Sequence, residues 1–563
     1  MKFTSSFKNN FHNITIACSL LLLVGNGCKQ KDFADEVITG KIWTGDAEKP
    51  WAEAMAIAED TIMAVGSKEE MKALIGKDTR QTDAGKDQLI VPGFIDSHSH
   101  FIESGFELAS VQLREAKTPK EFIQRIADYA KTVKPGTWII GGNWDHQNWG
   151  GELPNHEWID SVTRDNPVLV NRIDGHMSLA NSVALKLAGV NDDVKDVKGG
   201  EVIRKNGRIT GLFKDNALNY VRKLIPHPSK EMEQKAFQAA MDYYAARGIT
   251  SVTSVPGTGF GDYFNVYKDA QKIGPFKTRI YAVSELKNWQ RVSEQIKKDG
   301  KGDKWLRYGG VKGFVDGSLG SHTAAFMHPF TDTPKDSGFF VLPEAELYKR
   351  IKSADSAGLQ LLIHAIGDRS INTLLNISEK LEKESGKKDR RFRIEHAQHI
   401  LPADIPRFKT QNIIASVQPY HAIDDGKWAE KVIGHERAKT TYAFRSLLDV
   451  GTKLAFGSDW FVAPADPLIG IYAAVTRRTL DDKNPNGWIP EQKVTTEEAL
   501  KAYTIDAAYS TFEDNIKGSL KKGKLADYVI LEKDITKLDP VQIQSVKIIS
   551  TVVGGKEVFK AGK

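Results

Sequence analysis

Apolar, β-branched stretches that end in polar residues recur along the middle of the chain, and helical patterns separate them. Five such stretches are ITSVTSV, QLLIHAIGD, RFRIEHAQ, IIASVQP and TKLAFGSDW, which begin at residues 249, 360, 391, 413 and 452. This alternation is typical of a (β/α)8 barrel, in which active-site groups lie at the carboxyl ends of the strands. A doubly wound open sheet is the alternative, but no GxGxxG motif follows a strand. We therefore predict an α/β fold with a TIM-like barrel over residues 91–514.

The two ends of the chain alternate apolar and polar residues around glycine and aspartate turns, which favours short antiparallel strands. Near the start the pattern occurs in EAMAIAEDTIMAVGS, and near the end it occurs in VKIISTVVGGKEVFK. We expect residues 32–90 and 515–563 to form one small β-sandwich domain. Residues 106–225, rich in Trp, Asn, Gly and His, fit the barrel rhythm poorly and predict an insertion over the barrel mouth.

The amino terminus carries an apolar run from Ile14 to Val24, which at eleven residues is too short to span a bilayer. It predicts a signal segment over residues 1–27. Cys28 follows Gly-Asn-Gly, as in the lipobox of bacterial lipoproteins, although Gly25 stands where leucine is usual. We expect an exported protein, lipid-anchored through Cys28 in the bacterial cell envelope, either periplasmic or at the outer membrane. An ordinary signal segment, cleaved or uncleaved, is the alternative.

The composition of the chain limits which classes of molecule it is expected to bind. The formal net charge of the 563 residues is only +6, and no basic tract stands out, so nucleic acid is an unsuitable partner. A small-molecule substrate is expected, with membrane contact only through the lipid anchor, and a homodimer is left open. Both cysteines, Cys18 and Cys28, lie in the signal region, so any metal in the folded body must be held by nitrogen and oxygen.

The segment GFIDSHSHF, residues 93–101, places two histidines one residue apart at the end of an apolar run. In a strand, alternate side chains share a face, so His98 and His100 would lie about 7 Å apart and aim at one point. Such a pair also occurs on solvated strand ends, so further ligands are needed. Other strand ends offer further candidate ligands, which are Lys312, His364, His396 and Asp459. Each also has a purely structural alternative: the two histidines as core residues, the aspartate as a helix cap and the lysine as a member of an ion pair.

The chemistry of these residue types is mutually consistent. A divalent ion without thiolate ligands needs imidazole and carboxylate groups, and a hydrolytic site needs an open position for water. Four histidines and one aspartate meet this requirement. Lys312 requires a separate explanation, because an ammonium group repels a metal. A lysine whose pKa is lowered by burial near cations can react with carbon dioxide to form a carbamate that bridges two metals as a carboxylate does.

These motifs resemble the amidohydrolase superfamily, and most closely its amidohydrolase-3 branch, which includes YtcJ-like proteins and N-substituted formamide deformylases. The resemblance rests on HxH after VPGFID, on VKGFVDGSLGSHTA, IHAIGD, RIEHAQ and FGSDW, and on RIDGHMSLANSVAL, SVQPYHAIDD and GSLKKGKLADYVILEKD. It implies a metal-bearing barrel joined to a small β-sandwich made from both chain ends. It assigns His98 and His100 to a more buried metal, Lys312 to a bridge, His364 and His396 to a more exposed metal, and Asp459 to metal binding and proton transfer.

The resemblance implies one or two divalent ions, with zinc expected. Two alternatives stay open: a carbamoylated Lys312 that bridges two ions, and a single-metal site with an unmodified lysine. The predicted function is hydrolysis of a non-peptide carbon–nitrogen bond, of formamide-like type, by metal-activated water. Asp459 would act as general base and acid, and His176 as an electrophile for the carbonyl oxygen or merely as a turn histidine. The candidates for substrate contact are Asp145, His146, His322, Gln418, Trp144 and Trp460, although core packing is the commoner role of tryptophan.

Two alternatives share part of this prediction. The same activated water would serve lactone or phosphoester hydrolysis. A non-catalytic envelope lipoprotein that binds a ligand on the barrel scaffold is the other alternative, because a fold does not imply turnover. A binder has no need for all six ligand positions, and the sequence contains every one of them.

Overall fold

The computed structural model of the protein describes residues 32–257 and 263–562. The predicted signal segment, with Cys18 and the proposed lipidation site Cys28, lies outside the described residues. No helix within the described ranges combines the length and the apolar character needed to cross a membrane.

Eight parallel strands form the barrel, and their spatial order follows their order in the chain. They are β1 (Phe94–Ser99), β2 (Ile249–Ser254), β3 (Arg279–Glu285), β4 (Leu306–Phe314), β5 (Gln360–Ala365), β6 (Arg393–His396), β7 (Ile414–Val417) and β8 (Leu454–Phe456). Every residue of β1, β2, β5, β6, β7 and β8 is buried, as expected of parallel strands covered on both faces. The barrel closes where the amide of His100 donates to the Trp460 carbonyl (2.8 Å) and the amide of Asp459 donates to the His98 carbonyl (2.7 Å).

Helices surround these strands and connect them. The longer ones are Lys230–Ala245, Phe264–Ile273, Trp289–Asp299, Glu344–Ser356, Asp368–Ser385 and Pro467–Thr476. Shorter ones are Phe101–Glu107, Asn219–Arg222, Ile405–Thr410, Pro419–Asp425, Ala429–Ile433, His435–Ala438, Phe444–Asp449, Thr496–Ala502 and Ile505–Tyr509. Apolar side chains between the strands and these helices form the largest buried cluster in the described part of the chain.

Strands from both chain ends join in one continuous sheet beside the barrel. The amino-terminal strands, with one short helix Lys68–Met71 among them, are Glu36–Trp43, Trp51–Ala58, Thr61–Gly66, Arg80–Asp83 and Leu89–Pro92; the carboxyl-terminal strands are Tyr528–Leu531, Ile548–Val553 and Lys556–Lys560. The two groups meet where Leu89–Pro92 pairs antiparallel with Tyr528–Leu531. The predicted fold class, a barrel with an added β domain built from both ends, is confirmed. The exact domain boundaries stay a prediction.

A third sheet lies within residues 106–225 and has its own apolar core. Its strands are Val111–Gln112, Ile139–Trp144, Val168–Arg172, Met177–Ala180, Gly200–Lys205 and Arg208–Asp215, with helices Pro119–Ala130, Glu157–Asp160 and Ser182–Ala188. Residues from this inserted sheet and from the carboxyl ends of the barrel strands line the same cavity. The insertion therefore covers the barrel mouth, as the sequence predicted.

Candidate metal centre and active site

All six predicted ligand residues lie at the carboxyl ends of the barrel strands. The Nε2 atom of His100 is 3.1 Å from Oδ1 of Asp459, and Nε2 of His98 is 3.6 Å from the same oxygen. The amine of Lys312 in β4 is 3.1 Å from Nε2 of His98. The rings of His364 in β5 and His396 in β6 have centroids 4.5 Å apart, and 4.8 Å separates His396 from His98; all six residues are buried.

Backbone geometry at two of these residues marks the site as specialised. Asp459 has φ of 58° and His396 has φ of 70°, in the left-handed region that non-glycine residues seldom occupy. Such conformations cost free energy and cluster where side chains must take a particular direction. Both residues stand where a barrel strand gives way to its loop.

Hydrogen bonds determine which nitrogen of His98 and His100 faces the centre. The Nδ1 atom of His98 contacts the carboxylate of Glu395, and Nδ1 of His100 contacts the carbonyl oxygen of Val255 at 3.2 Å. An oxygen acceptor requires a donor, so in each neutral ring the proton is assigned to Nδ1. The Nε2 lone pairs of both rings are therefore left facing Asp459.

The other two histidines are held in the same way. The Nδ1 atom of His396 donates to Oε1 of Gln418 at 2.9 Å, and Nε2 of His364 donates to the carbonyl oxygen of Gly317 at 2.9 Å. Outer partners of this kind fix the tautomer and the orientation of metal-binding histidines. Each ring thus keeps one nitrogen available as a ligand atom.

Burial favours the uncharged form of three of the rings, those of His98, His364 and His396. Desolvation, with the nearby charge of Lys312, lowers the pKa of His98 to about 4. Desolvation together with neighbouring cationic groups holds the pKa values of His364 and His396 well below their usual range. Burial also lowers the pKa of Lys312 to about 8. Neutral imidazole is the form that binds a metal ion, and an amine with this pKa is partly uncharged near neutral pH.

Asp459 provides the test of whether a cation fits. Its Oδ1 atom is buried and accepts no hydrogen bond, yet it faces the lone pairs of His98 and His100. Ligand atoms around a tetrahedral ion with bonds of about 2.0–2.1 Å lie about 3.3 Å apart, close to the observed 3.1 and 3.6 Å. The donor set therefore fits a divalent cation.

A profile of the amidohydrolase family, of the amidohydrolase-3 type, matches residues 83–559. The chain belongs to the amidohydrolase family. Three relatives align along nearly the whole chain. Protein LONG AFTER FAR-RED 3 of Arabidopsis thaliana is 40% identical over 538 residues, 93% of this chain and 92% of its own. The putative amidohydrolase YtcJ of Bacillus subtilis is 29% identical (92% and 98% covered), and the N-substituted formamide deformylase of Arthrobacter pascens is 25% identical (92% and 97% covered).

A solved structure agrees with the family. An uncharacterized metal-dependent hydrolase from Pyrococcus furiosus superposes with a TM-score of 0.70 at 28% identity, over 89% of this chain and 100% of the other. The predicted relationship to the amidohydrolase-3 branch is confirmed, and with it the general class of hydrolase.

His176 lies beside the candidate metal centre of this amidohydrolase, in the inserted subdomain. Its Nδ1 atom is 2.6 Å from Oδ1 of Asp215, and its ring centroid is 5.2 Å from that of His364. Although burial alone would lower the pKa of His176, the Asp215 carboxylate raises it. The ring is thereby favoured in its protonated form, with Nε2 as the second donor, and His176 lines the cavity above the centre.

Only one of the six predicted substrate-contact residues lines that cavity. Asp145 does so, and Arg172 donates to it through Nη2 at 2.8 Å. Although burial alone would raise the pKa of Asp145, this guanidinium holds it well below its usual value. His146 lies behind the cavity wall, where its Nδ1 accepts from Nε of Arg172 at 3.3 Å.

The structure places the other four away from the cavity lining. Trp144 is fully buried in the core of the insertion and donates to the Val170 carbonyl at 2.9 Å. Trp460 stacks on Tyr243 with centroids 4.2 Å apart. His322 pairs with Asp332 at 3.0 Å, and Gln418 supports His396. Direct substrate contact by Trp144, Trp460, His322 or Gln418 is therefore not supported, because packing or hydrogen bonds already engage these side chains elsewhere.

Sequence reasoning missed several residues at the site. His421 lines the cavity, its buried Nε2 has no partner, and that atom is 4.0 Å from Oδ2 of Asp459. Phe461 lines the cavity with its ring 5.6 Å from that of His100. Glu395 contacts His98 from behind. His421 and Phe461 come soon after the ends of β7 and β8, and that position along the chain was the available signal.

Proposed function

We propose that this amidohydrolase cleaves a non-peptide carbon–nitrogen bond, of amide or formamide type, with a divalent metal held at the centre described above. The observation that carries the proposal is the unpaired, buried Oδ1 of Asp459, which faces imidazole lone pairs at distances suited to metal ligands. The resemblance to an N-substituted formamide deformylase supports the choice of bond.

The ligand set is proposed to be His98, His100, His364, His396 and Asp459, with Lys312 as a bridge if it carries a carbamate. Nitrogen and oxygen donors without thiolate suit zinc, either as one ion or as two. When bound, such an ion supplies Lewis-acid polarisation of a carbonyl and lowers the pKa of water toward about 7. With its pKa lowered to about 8, buried Lys312 has the uncharged fraction that carbamate formation requires.

Asp459 is proposed to move the proton. A carboxylate at this position accepts a proton from the attacking water and then delivers it to the leaving nitrogen. The delivery matters because an amide nitrogen is a poor leaving group until it is protonated. Two features hold the carboxylate in place: the left-handed backbone at Asp459, and the hydrogen bond that the Asp459 amide donates to the His98 carbonyl.

His176 is proposed to stabilise charge on the carbonyl oxygen. With Nδ1 bonded to Asp215, the protonated ring presents Nε2–H as a donor on the cavity side. A fixed donor aimed at developing negative charge lowers the barrier, because no reorganisation is needed during reaction. Phe461 adds an apolar surface beside His100 that would suit a hydrophobic substituent on the substrate.

Asp459→Asn tests the role of Asp459. We expect kcat to fall by about 10²–10⁴-fold while most metal stays bound, because the neutral amide cannot carry the proton. Turnover and metal content are measured on the same preparation. Asp332→Asn is the matched control, since that carboxylate also pairs with a histidine but lies outside the cavity lining. Wild-type turnover by a fully metallated Asp459→Asn protein would contradict the assignment.

The bond is tested with a substrate panel of N-substituted formamides, N-acyl amino acids, lactones and phosphotriesters. Preference for the first two classes, abolished by a chelator and restored by zinc, is the expected result. Preference for lactones or phosphotriesters would replace the proposed bond while keeping the centre. A metallated protein that turned over none of the four classes would support the alternative of a non-catalytic binder.

We further propose, from the sequence around Cys28, that the protein is exported and lipid-anchored in the bacterial cell envelope. The apolar run and the Gly-Asn-Gly-Cys segment support this proposal. A mass spectrum of the amino-terminal peptide should show a lipidated cysteine as the first residue. An unmodified peptide that begins at another position would contradict it.

A further inference from the structure

A buried arginine–glutamate pair lies behind the His98 imidazole. Glu395 contacts Nδ1 of His98 through Oε2, and Arg393 donates to the same carboxylate through Nε to Oε1 (2.8 Å) and Nη2 to Oε2 (3.1 Å). The side chains of all three residues are fully buried. None of the ligand roles proposed above uses Arg393 or Glu395.

The strand geometry explains how both residues reach this place. Arg393 and Glu395 stand two positions apart in β6, so they share one face of the strand. His396 would point to the opposite face in a regular strand, but its φ of 70° breaks the strand there. One short strand can therefore supply both a predicted ligand and the group behind another ligand.

Arg393 is itself hydrogen-bonded to three other groups, and this fixes the position of the Glu395 carboxylate to which it donates. Its guanidinium donates to the Ser97 carbonyl of β1 (2.5 Å), to Oγ of Ser416 in β7 (2.9 Å) and to Oγ of Ser510 (3.3 Å). A planar guanidinium with this many bonds has a single orientation available. Glu395 thus meets His98 in a geometry set by several barrel strands.

We propose that Arg393 and Glu395 are a positioning pair for the metal centre. The carboxylate keeps the proton of His98 on Nδ1, so that Nε2 faces the metal, and its negative charge makes Nε2 a stronger ligand. Arg393 balances this charge, since an unpaired buried carboxylate would be costly. The inference rests on the proposed metal centre and extends it to residues that touch neither substrate nor metal.

A purely structural role is the competing explanation, because any buried ion pair affects folding. The two explanations differ in what happens to metal binding when the protein remains folded. Loss of an outer carboxylate on a metal-binding histidine typically weakens metal affinity by about 10–100-fold. Loss of a structural ion pair elsewhere lowers stability without changing that affinity.

Glu395→Gln is the decisive variant, because glutamine has nearly the same shape, lacks the charge and can offer an amide donor to Nδ1. Zinc affinity is measured by competition with a chromophoric chelator, and the absorption spectrum of the Co²⁺-loaded protein reports the ligand field. We expect zinc affinity to fall by about 10–100-fold and the Co²⁺ bands to shift. Wild-type affinity with an unchanged Co²⁺ spectrum in the folded variant would overturn the inference.

Glu513→Gln is the matched control. Glu513 is a buried glutamate paired with Lys517 at 2.8 Å, and neither residue belongs to the metal centre. We expect Glu513→Gln to lower the melting temperature while zinc affinity stays within twofold of wild type. An equal loss of zinc affinity in both variants would reduce the effect to general destabilisation and overturn the inference.

Glu395→Asp covers the case in which Glu395→Gln fails to fold. It keeps the charge but shortens the side chain, so we expect an intermediate loss of zinc affinity; wild-type affinity would again overturn the inference. A wild-type protein that bound neither zinc nor Co²⁺ would instead overturn the proposed function, and this inference with it.

Discussion

We expect protonation of His98, His364 and His396 to change the zinc affinity of this centre only slightly between pH 7.5 and pH 5.5. A metal competes with the proton for each imidazole, so affinity falls once the pH drops below the pKa of the ligand. Desolvation, with the charge of Lys312, lowers the pKa of His98 to about 4 and helps hold those of His364 and His396 well below their usual range. His98 is therefore already deprotonated at pH 5.5, and the pKa values of His364 and His396 are shifted in the same direction.

The proton equilibrium gives the loss of zinc affinity expected at pH 5.5 for imidazoles with ordinary and with lowered pKa values. An imidazole with the ordinary pKa of about 6.5 loses a factor of about 11 in affinity at pH 5.5, and three of them lose about 10³ together. An imidazole with a pKa of about 4 loses only about 3% at the same pH. The two cases differ by about 4 kcal/mol of binding free energy.

The assay is a titration of metal-free protein with zinc against a chromophoric chelator of known pH dependence, at pH 5.5, 6.5 and 7.5. We expect the apparent Kd to rise by less than about tenfold from pH 7.5 to 5.5. This limit allows for protonation of ligands other than His98, His364 and His396. A synthetic peptide of residues 93–101 is the control, because it offers His98 and His100 without burial and should lose affinity steeply. A loss near 10³-fold in the protein would refute the reasoning, since it would mean that the rings titrate as they do in water.

Two further predictions concern the cavity and the junction between the barrel and the β domain. Phe461→Ala should change KM for amide substrates more than Trp460→Phe does, because Phe461 lines the cavity and Trp460 stacks on Tyr243; equal effects in steady-state kinetics would contradict this. Arg279→Met should lower the melting temperature, because Asp527 would lose both hydrogen bonds from the guanidinium (2.7 and 2.8 Å) and remain as an unpaired buried charge. The expected decrease in the free energy of unfolding is about 3–5 kcal/mol. Unchanged thermal unfolding would contradict this prediction.

The convergence of the ligands was predictable from sequence because it follows from strand geometry. Two histidines separated by one residue share a face of β1, and the carboxyl ends of parallel strands meet at one rim of a barrel. His364, His396 and Asp459 could therefore be predicted as candidate ligands from their positions at strand ends. The pattern of buried, β-branched runs also gave the fold class, since few other structures combine such runs with intervening helices.

Other features depend on contacts that no local pattern records. Glu395 stands next to His396 in the chain, yet it supports His98, which is 297 residues away. Trp144 and Trp460 occur near polar strand ends, but one packs in the core of the insertion and the other on Tyr243. His421 reaches the cavity from the helix Pro419–Asp425 that follows β7. In each case the side-chain direction is set by tertiary packing, which sequence spacing does not determine.

Asp96, the aspartate of the segment GFIDSHSH, connects the closure of the barrel to the candidate metal centre. Its Oδ1 accepts from the amides of Ser458 (2.9 Å) and His98 (3.2 Å), and its Oδ2 accepts from the hydroxyls of Ser458 (2.5 Å) and Tyr244 (3.1 Å). Asp96 therefore fastens the end of β1 to the turn that carries Asp459. The separation between the His98 and Asp459 ligand atoms is set by this seam between the first and last strands. A metal held across the seam favours the closed barrel over the open chain, because an ion that binds only the folded form adds its binding free energy to stability.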